Sequence, residues 1–243
     1  MFKNIFSVTK EQKENRKYLV FRILGLKFKK RIEQGFIYLV NGEKRRRLKK
    51  VKGLSVTFLG SDSVIEFIDN KVPKFSNCEI HCLGNSYIKI ESTKFVLSNI
   101  MIKCGRGSEV KIGKNFSVNS MVVMNNEPNI KISIGDDCMF STSVYLRSYD
   151  GHTIYNEETR EVLNYPEDIK IGNHVWFGNG VKVLKGADIP DNTVVGIGSI
   201  VTKSSTSHGI SSGSILVGSP AKVLKTGCNW SRKSIEKFLE EEK

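Results

Sequence analysis

An apolar residue recurs at every sixth position through the second half of the chain, at Ile171, Phe177, Val183, Ile189, Val195 and Val201. The fifth place of each block holds a small or β-branched residue, at Val175, Val181, Ala187, Thr193 and Ser199. Gly172, Gly178, Gly196 and Gly198 fall at or near the turns between them, where the backbone bends without a Cβ. Such a period fits neither a helix nor simple strand alternation. It predicts a short strand and a turn repeated until the apolar places stack into one inner column. The expected fold is all-β, a parallel β-helix whose coils pair at about 4.8 Å.

The pattern continues upstream less regularly. Ile112, Val118 and Met124 share the spacing, as do Ile134, Phe140 and Leu146, and Ile112-Gly113 and Ile134-Gly135 repeat the opening of Ile171-Gly172. Asn125-Asn126-Glu127-Pro128-Asn129 between the two sets reads as a turn-rich insertion. Ile88 with Ile90, Ile100 with Ile102, and Val110 with Ile112 read as degenerate coils. The register breaks after Leu146 and resumes at Ile171, which predicts an extruded loop over 147–170, a place where function tends to sit.

Five motifs in succession carry a family resemblance: Ser148-Tyr149-Asp150-Gly151-His152-Thr153-Ile154, Ile171-Gly172-Asn173-His174-Val175-Trp176-Phe177-Gly178, Val183-Leu184-Lys185-Gly186, Val195-Gly196-Ile197-Gly198-Ser199-Ile200-Val201-Thr202-Lys203 and Val217-Gly218-Ser219-Pro220-Ala221-Lys222-Val223. Over residues 110 to 225 the chain resembles the hexapeptide-repeat acyltransferases, most of all the branch that O-acetylates bacterial capsular and lipopolysaccharide sugars. The resemblance implies a left-handed β-helix and a homotrimer with acetyl-coenzyme A bound between neighbouring subunits. The expected division is a basic, partly helical segment over 1–52, the β-helix over 53–225, and a tail with a short helix over 226–243.

Charge is concentrated at the start. Residues 1 to 52 hold 17 Lys or Arg against 4 Asp or Glu, whereas residues 53 to 243 hold 21 of each, so the first stretch carries the entire net charge of +13. Glu11 to Arg31 reads as a basic helix with Tyr18, Leu19, Ile23 and Leu26 on one face, followed by Arg45-Arg46-Arg47 with Lys49, Lys50 and Lys52. A solvated arm or a helix packed on the prism end, docking to an anionic inner-leaflet surface, and nucleic-acid binding are the three readings. The last is disfavoured, because the body is neutral and no recognised binding module is present. No apolar run approaches the roughly 20 residues of a membrane span, and the opening lacks a secretory signal, so the cytoplasm is the expected location. Cys78, Cys82, Cys104, Cys138 and Cys228 are odd in number and scattered, which argues against a disulfide framework. Cys138 at a fifth place reads as core, and Cys78-x-x-His81-Cys82 without a second cluster makes a weak metal fragment, so no metal is expected.

Acyl transfer to a sugar hydroxyl needs a base within hydrogen-bond reach, and imidazole suits neutral pH. His152 alone among four histidines sits in the extruded loop, at the position that the resemblance makes catalytic. Asp150 is a candidate to orient it. Trp176 takes a sixth place, outside the inward columns. The resemblance makes it a wall of the acceptor and acetyl site, with an indole N–H near the reacting centre. His174 reads better as a turn or interface residue, and His81 and His208 lack supporting context. The resemblance puts Gly178, Gly196 and Gly198 along the pantetheine groove, Lys203 and Lys222 near coenzyme phosphates, and Ser219-Pro220-Ala221 near the adenine. Ser204 to Gly209 departs from the family pattern and reads as a longer flexible loop. Arg147, Tyr149, Tyr155 and Arg160 in or beside the extruded loop are candidates to read an acidic sugar such as a sialic acid. The histidine spacing disfavours a zinc carbonic anhydrase, and the absence of the helical N-terminal domain of serine acetyltransferases disfavours that activity. Transfer to a sugar amine is the runner-up reading, and a non-catalytic binding scaffold is the more remote one.

Overall fold

A computed structural model describes residues 6–13, 16–23, 26–32 and 35–241. The hexad columns fold as the pattern predicts. Ile171, Phe177, Val183, Ile189, Val195 and Val201 are all buried, and so are Val175, Val181, Ala187, Thr193 and Ser199. The chain forms a left-handed parallel β-helix of about seven turns. Its first face is an eight-stranded sheet, its second face has seven strands, and its third face has six strands above a two-stranded patch. Each turn visits the first, third and second faces in that order, as in Ile169–Ile171, Trp176–Phe177 and Lys182–Leu184. At the prism axis Phe140 stacks on Phe177 at 4.2 Å and meets Phe116 edge-on at 5.0 Å.

The turns change length along the prism. Ile90 pairs with Ile112 and Ile112 with Ile134, twenty-two residues per turn, whereas Ile171 pairs with Ile189, eighteen per turn. The hexad is therefore a property of the upper turns. Lower turns carry five-residue strands such as Cys78–Cys82, Ile100–Cys104 and Met121–Asn125, which bury alternate residues. Ile88, Ile90, Ile100, Ile102, Val110 and Ile112 all lie in the core, as the degenerate coils required. Met124 does not: Val123 fills the inner place beside Leu146, and Met124 points outward opposite Arg147. The longer strand shifts the inward parity by one residue, which flips the side chain to the other face.

The expected basic helix over Glu11 to Arg31 is corrected. Phe6–Lys13, Arg16–Ile23 and Leu26–Ile32 are antiparallel strands, with Val20 opposite both Thr9 and Lys29. Val20, Phe21, Ile23 and Phe28 favour a pleated strand over a helix. The side chains of Tyr18, Leu19 and Ile23, assigned to a helical face, lie outside the described residues. Gly35–Asn41 pairs in parallel with Ser63–Ile68, so prism pairing starts well before residue 53. Lys44–Leu48 caps the end of the first face as an edge strand, and its exposed Lys44, Arg45, Arg46 and Arg47 oppose pairing with another chain. At the other end, the stretch after Thr202 is a helical turn, Lys203–Thr206, rather than a flexible loop. Thr202 and Ser205 close a capping box on its backbone N–H groups. Ile235–Glu241 is the expected short terminal helix. Among the described residues no helix is long and apolar enough to cross a membrane.

Candidate active site

The extruded loop leaves the second face after Val144–Arg147 and joins the first face at Ile169–Ile171. Its neck is anchored by a buried pair, Ser148 Oγ donating to Asn125 Oδ1 at 2.8 Å, and closed where Glu167 N donates to Ser148 O at 3.1 Å. The Asn125 corner, read as an insertion, thus supports the loop. Beyond the neck the chain makes a small hairpin: Leu163 N bonds Ile154 O at 2.8 Å, and Asn156 Oδ1 accepts from Glu158 N and Thr159 N at 2.9 Å.

His152 lies on the solvent-exposed rim of this loop, and its imidazole meets no protein partner among the described residues. Asp150 does not reach the ring. Its Oδ2 accepts from Lys185 Nζ and from Asn164 Nδ2 at 3.0 Å, and the same amide donates to His152 O at 2.7 Å. Asn164 Oδ1 also accepts from Ile154 N at 2.7 Å, so one side chain staples the loop at residues 150, 152 and 154. Sequence reasoning missed Asn164 and Lys185. Neither sits in a repeat column; the loop's return path brings Asn164 to Asp150, and the stacking of Leu184 on Arg147 brings Lys185 there from the next turn. The Lys185 ammonium holds the Asp150 carboxyl below its ordinary value, with burial opposing. A depressed carboxylate stabilises the fold above the ordinary carboxylate range and stops doing so as pH falls through the lowered value. Mild acidification therefore leaves this anchor intact. Asn164→Ala frees the backbone at His152; on the catalytic role that the family resemblance implies for His152, it is expected to lower kcat by about 10-fold to 100-fold through misplacement of the imidazole. Steady-state kinetics with separately measured coenzyme affinity checks this; an unchanged kcat would show that the staple does not set the ring.

Trp176 projects from the third face, opposite the corner that carries His152. The two residues therefore do not meet within one chain. Beside Trp176 runs the tail, to which the sequence reading gave no role at the site: Trp230 lies 6.0 Å from it, tilted by 47°. Trp230 stacks on His174 at 4.1 Å, and its Nε1 donates to His174 O at 2.7 Å. His174 contacts Asp137 Oδ2 through Nδ1 at 2.7 Å and Trp230 O through Nε2 at 3.0 Å. Both partners are acceptors, so a hydrogen on either ring nitrogen has somewhere to go. His174 sits in a turn at a φ of +53° and ties the tail to the prism.

The coenzyme candidates separate. An added Cβ on Gly178 would lie 2.7 Å from Ile197 N, and one on Gly196 would lie 2.9 Å from Val217 Cγ1. Coil stacking by itself thus requires glycine at 178, where the close atoms are backbone, whereas at 196 a single Val217 methyl would have to move. Gly198 has open space and a φ of +68°, which a turn demands. Lys203 pairs with Glu167 at the loop neck. Lys222 instead lines a depression of about 350 Å³ with Ser205, His208, Ser211, Ser214 and Val223. Ser219 and Pro220 are exposed at the turn between the last two strands.

Arg147 spends Nε on Tyr149 O at 2.8 Å and Nη2 on Asp150 O at 3.0 Å, and its guanidinium lies 5.1 Å from the Tyr149 ring. It braces the loop. Arg160 lies over Tyr155 at 4.1 Å at the hairpin tip, away from the neck. The Cys78, His81, Cys82 fragment cannot converge. Both cysteines point into the core, whereas His81 points outward to Glu79 at 3.4 Å. Burial pushes the Cys138 thiol up to about 12, consistent with its core place.

No protein-family model matches the chain. It is similar to the polysialic acid O-acetyltransferase of Escherichia coli O1:K1 / APEC, at 31% identity over 158 residues, 65% of this chain and 48% of that protein. It is also similar to the galactoside O-acetyltransferase of Escherichia coli (strain K12), at 34% identity over 119 residues, 49% of this chain and 55% of that protein. The chain spans about half the length of the curated relatives it matches. The crystal structure of the polySia-specific acetyltransferase NeuO matches 84% of this chain and 87% of its own, with 26% identity and a TM-score of 0.68. The resemblance to hexapeptide-repeat acyltransferases read from the five motifs is borne out by these relatives and by the stacked coils.

Proposed function

We propose that this relative of the hexapeptide-repeat acyltransferases is an acetyl-coenzyme A dependent O-acetyltransferase, acting on a hydroxyl of a bacterial surface polysaccharide or its sugar precursor. The observation that carries the reading is His152: an exposed imidazole with no protein partner among the described residues, on a loop whose backbone is stapled on both sides of it. A ring left free in this way is available to an acceptor hydroxyl. It takes the hydroxyl proton as the oxygen attacks the thioester carbonyl. The tetrahedral intermediate then expels coenzyme A thiolate, which recovers the proton from the imidazolium. No covalent acyl-enzyme forms. The Trp176 indole N–H is assigned to the developing oxyanion or the acceptor. Lys222, with the hydroxyls around it, is assigned to the nucleotide end of the coenzyme, where backbone and ammonium donors suit phosphate.

Because His152 and Trp176 stand on opposite sides of one prism, the reading requires a second copy to join them, and a homotrimer supplies three such seams. Ile154, Tyr155, Leu163 and Tyr165 on the loop and Ile197 on the next corner are exposed apolar side chains available to such a seam. Light scattering is expected to give about three times the 27.4 kDa chain mass. An active monomer would contradict the shared site. The activity itself is tested by offering acetyl-coenzyme A with sialic acid polymers, neutral polysaccharides, nucleotide sugars and amino sugars, and reading the products by mass. A gain of one acetyl ester on a hydroxyl-bearing acceptor is the expected result. Transfer to amines alone would replace the reading with N-acetylation, and no transfer to any acceptor would overturn it.

A further inference from the structure

We propose that Trp230 is a positioning residue for Trp176, seated against it by a C-terminal segment that folds back down the prism. The proposal rests on the acyl-transfer reading of Trp176. Along the prism axis the Trp176 indole has neighbours on both sides, because Met139 and Val194 occupy its place in the turns below and above. Across the face it remains 38% exposed, and Trp230 is the ring beside it. A Trp on a flat outward face swings between rotamers unless something blocks the sideways motion.

Trp230 can act as that block because it is itself immobilised. It is 9% exposed, stacked on His174 within 8° of parallel, and its indole N–H is spent on His174 O. That last bond also keeps it from donating to a substrate, which makes it a positioning rather than a catalytic group. The segment behind it is tied down by Arg232. The guanidinium reaches Ser117 Oγ at 2.7 Å, Asp137 Oδ1 at 3.2 Å, and the carbonyls of Cys138, Asp137 and Asn115 at 3.1, 3.2 and 3.4 Å. It also lies 4.7 Å from the Phe95 ring. Three turns are thereby strapped together beside Trp176. Among the described residues no acceptor takes the Trp176 indole N–H, so the ring is held by shape and leaves its donor free.

The chain has two tryptophans, so any Trp230 substitution leaves Trp176 as the sole reporter. Acrylamide quenching is compared between the full-length Trp230→Phe protein, which keeps an aromatic wall, and Trp230→Leu. A third variant adds Arg232→Gln to Trp230→Phe and loosens the strap without removing the ring. Far-UV circular dichroism confirms that each variant keeps its strands. Quenching of Trp176 is expected to rise about two-fold or more in the second and third proteins as the indole gains rotameric freedom. Their kcat is expected to fall about 10-fold with a raised acceptor KM, and Trp230→Phe to retain most activity. Equal quenching in all three proteins overturns the proposal, as does raised quenching with unchanged kcat and KM. The quenching needs no acceptor, so an unmodified protein that transfers acetyl to nothing removes the enzymatic reading while the indole measurement still stands.

Discussion

His152→Ala is expected to lower kcat by about 100-fold to 10,000-fold while coenzyme binding stays nearly unchanged, the usual worth of a positioned acid or base. The size of the effect separates this role from a bland one. Replacing an exposed residue with no structural duty changes stability by within about 0.5 kcal/mol and leaves turnover close to the parent. His152 makes no structural hydrogen bond through its ring among the described residues, so the substitution leaves no buried group unpaired and the fold intact. The measurement is single-turnover acetyl transfer together with calorimetric titration of coenzyme A. Turnover within a few-fold of the parent would remove the imidazole from the base role. The same comparison for His174→Ala should instead read out mainly in thermal stability, because that ring is tied to Asp137 and stacked on Trp230.

The second large effect is on folding. Phe140→Ala is expected to destabilise the chain by about 3–5 kcal/mol, the cost of truncating a buried aromatic to a cavity-lining methyl. Phe140 is 1% exposed and lies between Phe116 and Phe177, so its removal opens the axis across three turns and breaks both ring contacts. A solenoid cannot heal such a gap by sliding, because the in-register pairing of Met139 with Trp176 and Phe140 with Phe177 fixes the coils around it. The outward Lys182→Ala, on an exposed position of the next turn, should stay within about 0.5 kcal/mol. Denaturant unfolding of both variants checks the contrast. Equal midpoints would mean that the inner column does not hold the prism together.

The upper prism was legible in residue order because burial repeats where the turn repeats. Eighteen residues per turn on three faces leaves one inward apolar place every six residues, and Ile171 to Val201 record it directly. The lower turns were legible only as Ile-x-Ile fragments. Their twenty-two-residue length breaks the six-residue count, which is how Met124 was set in a column that Val123 occupies. The basic start misled for a related reason: a run of charges carries no period, so helix and strand were not distinguished until the antiparallel register of Arg16–Ile23 with both neighbours appeared. His152 and Trp176 could be named from motifs, since each stands at a marked place beside the repeat. What supports them could not. Lys185 meets Asp150 across 35 residues, and Arg232 meets Asp137 across 95. Single hydrogen bonds between a loop, a tail and a corner leave no periodic trace in a chain, and they exist only because stacked turns bring those points to within a few ångströms of one another.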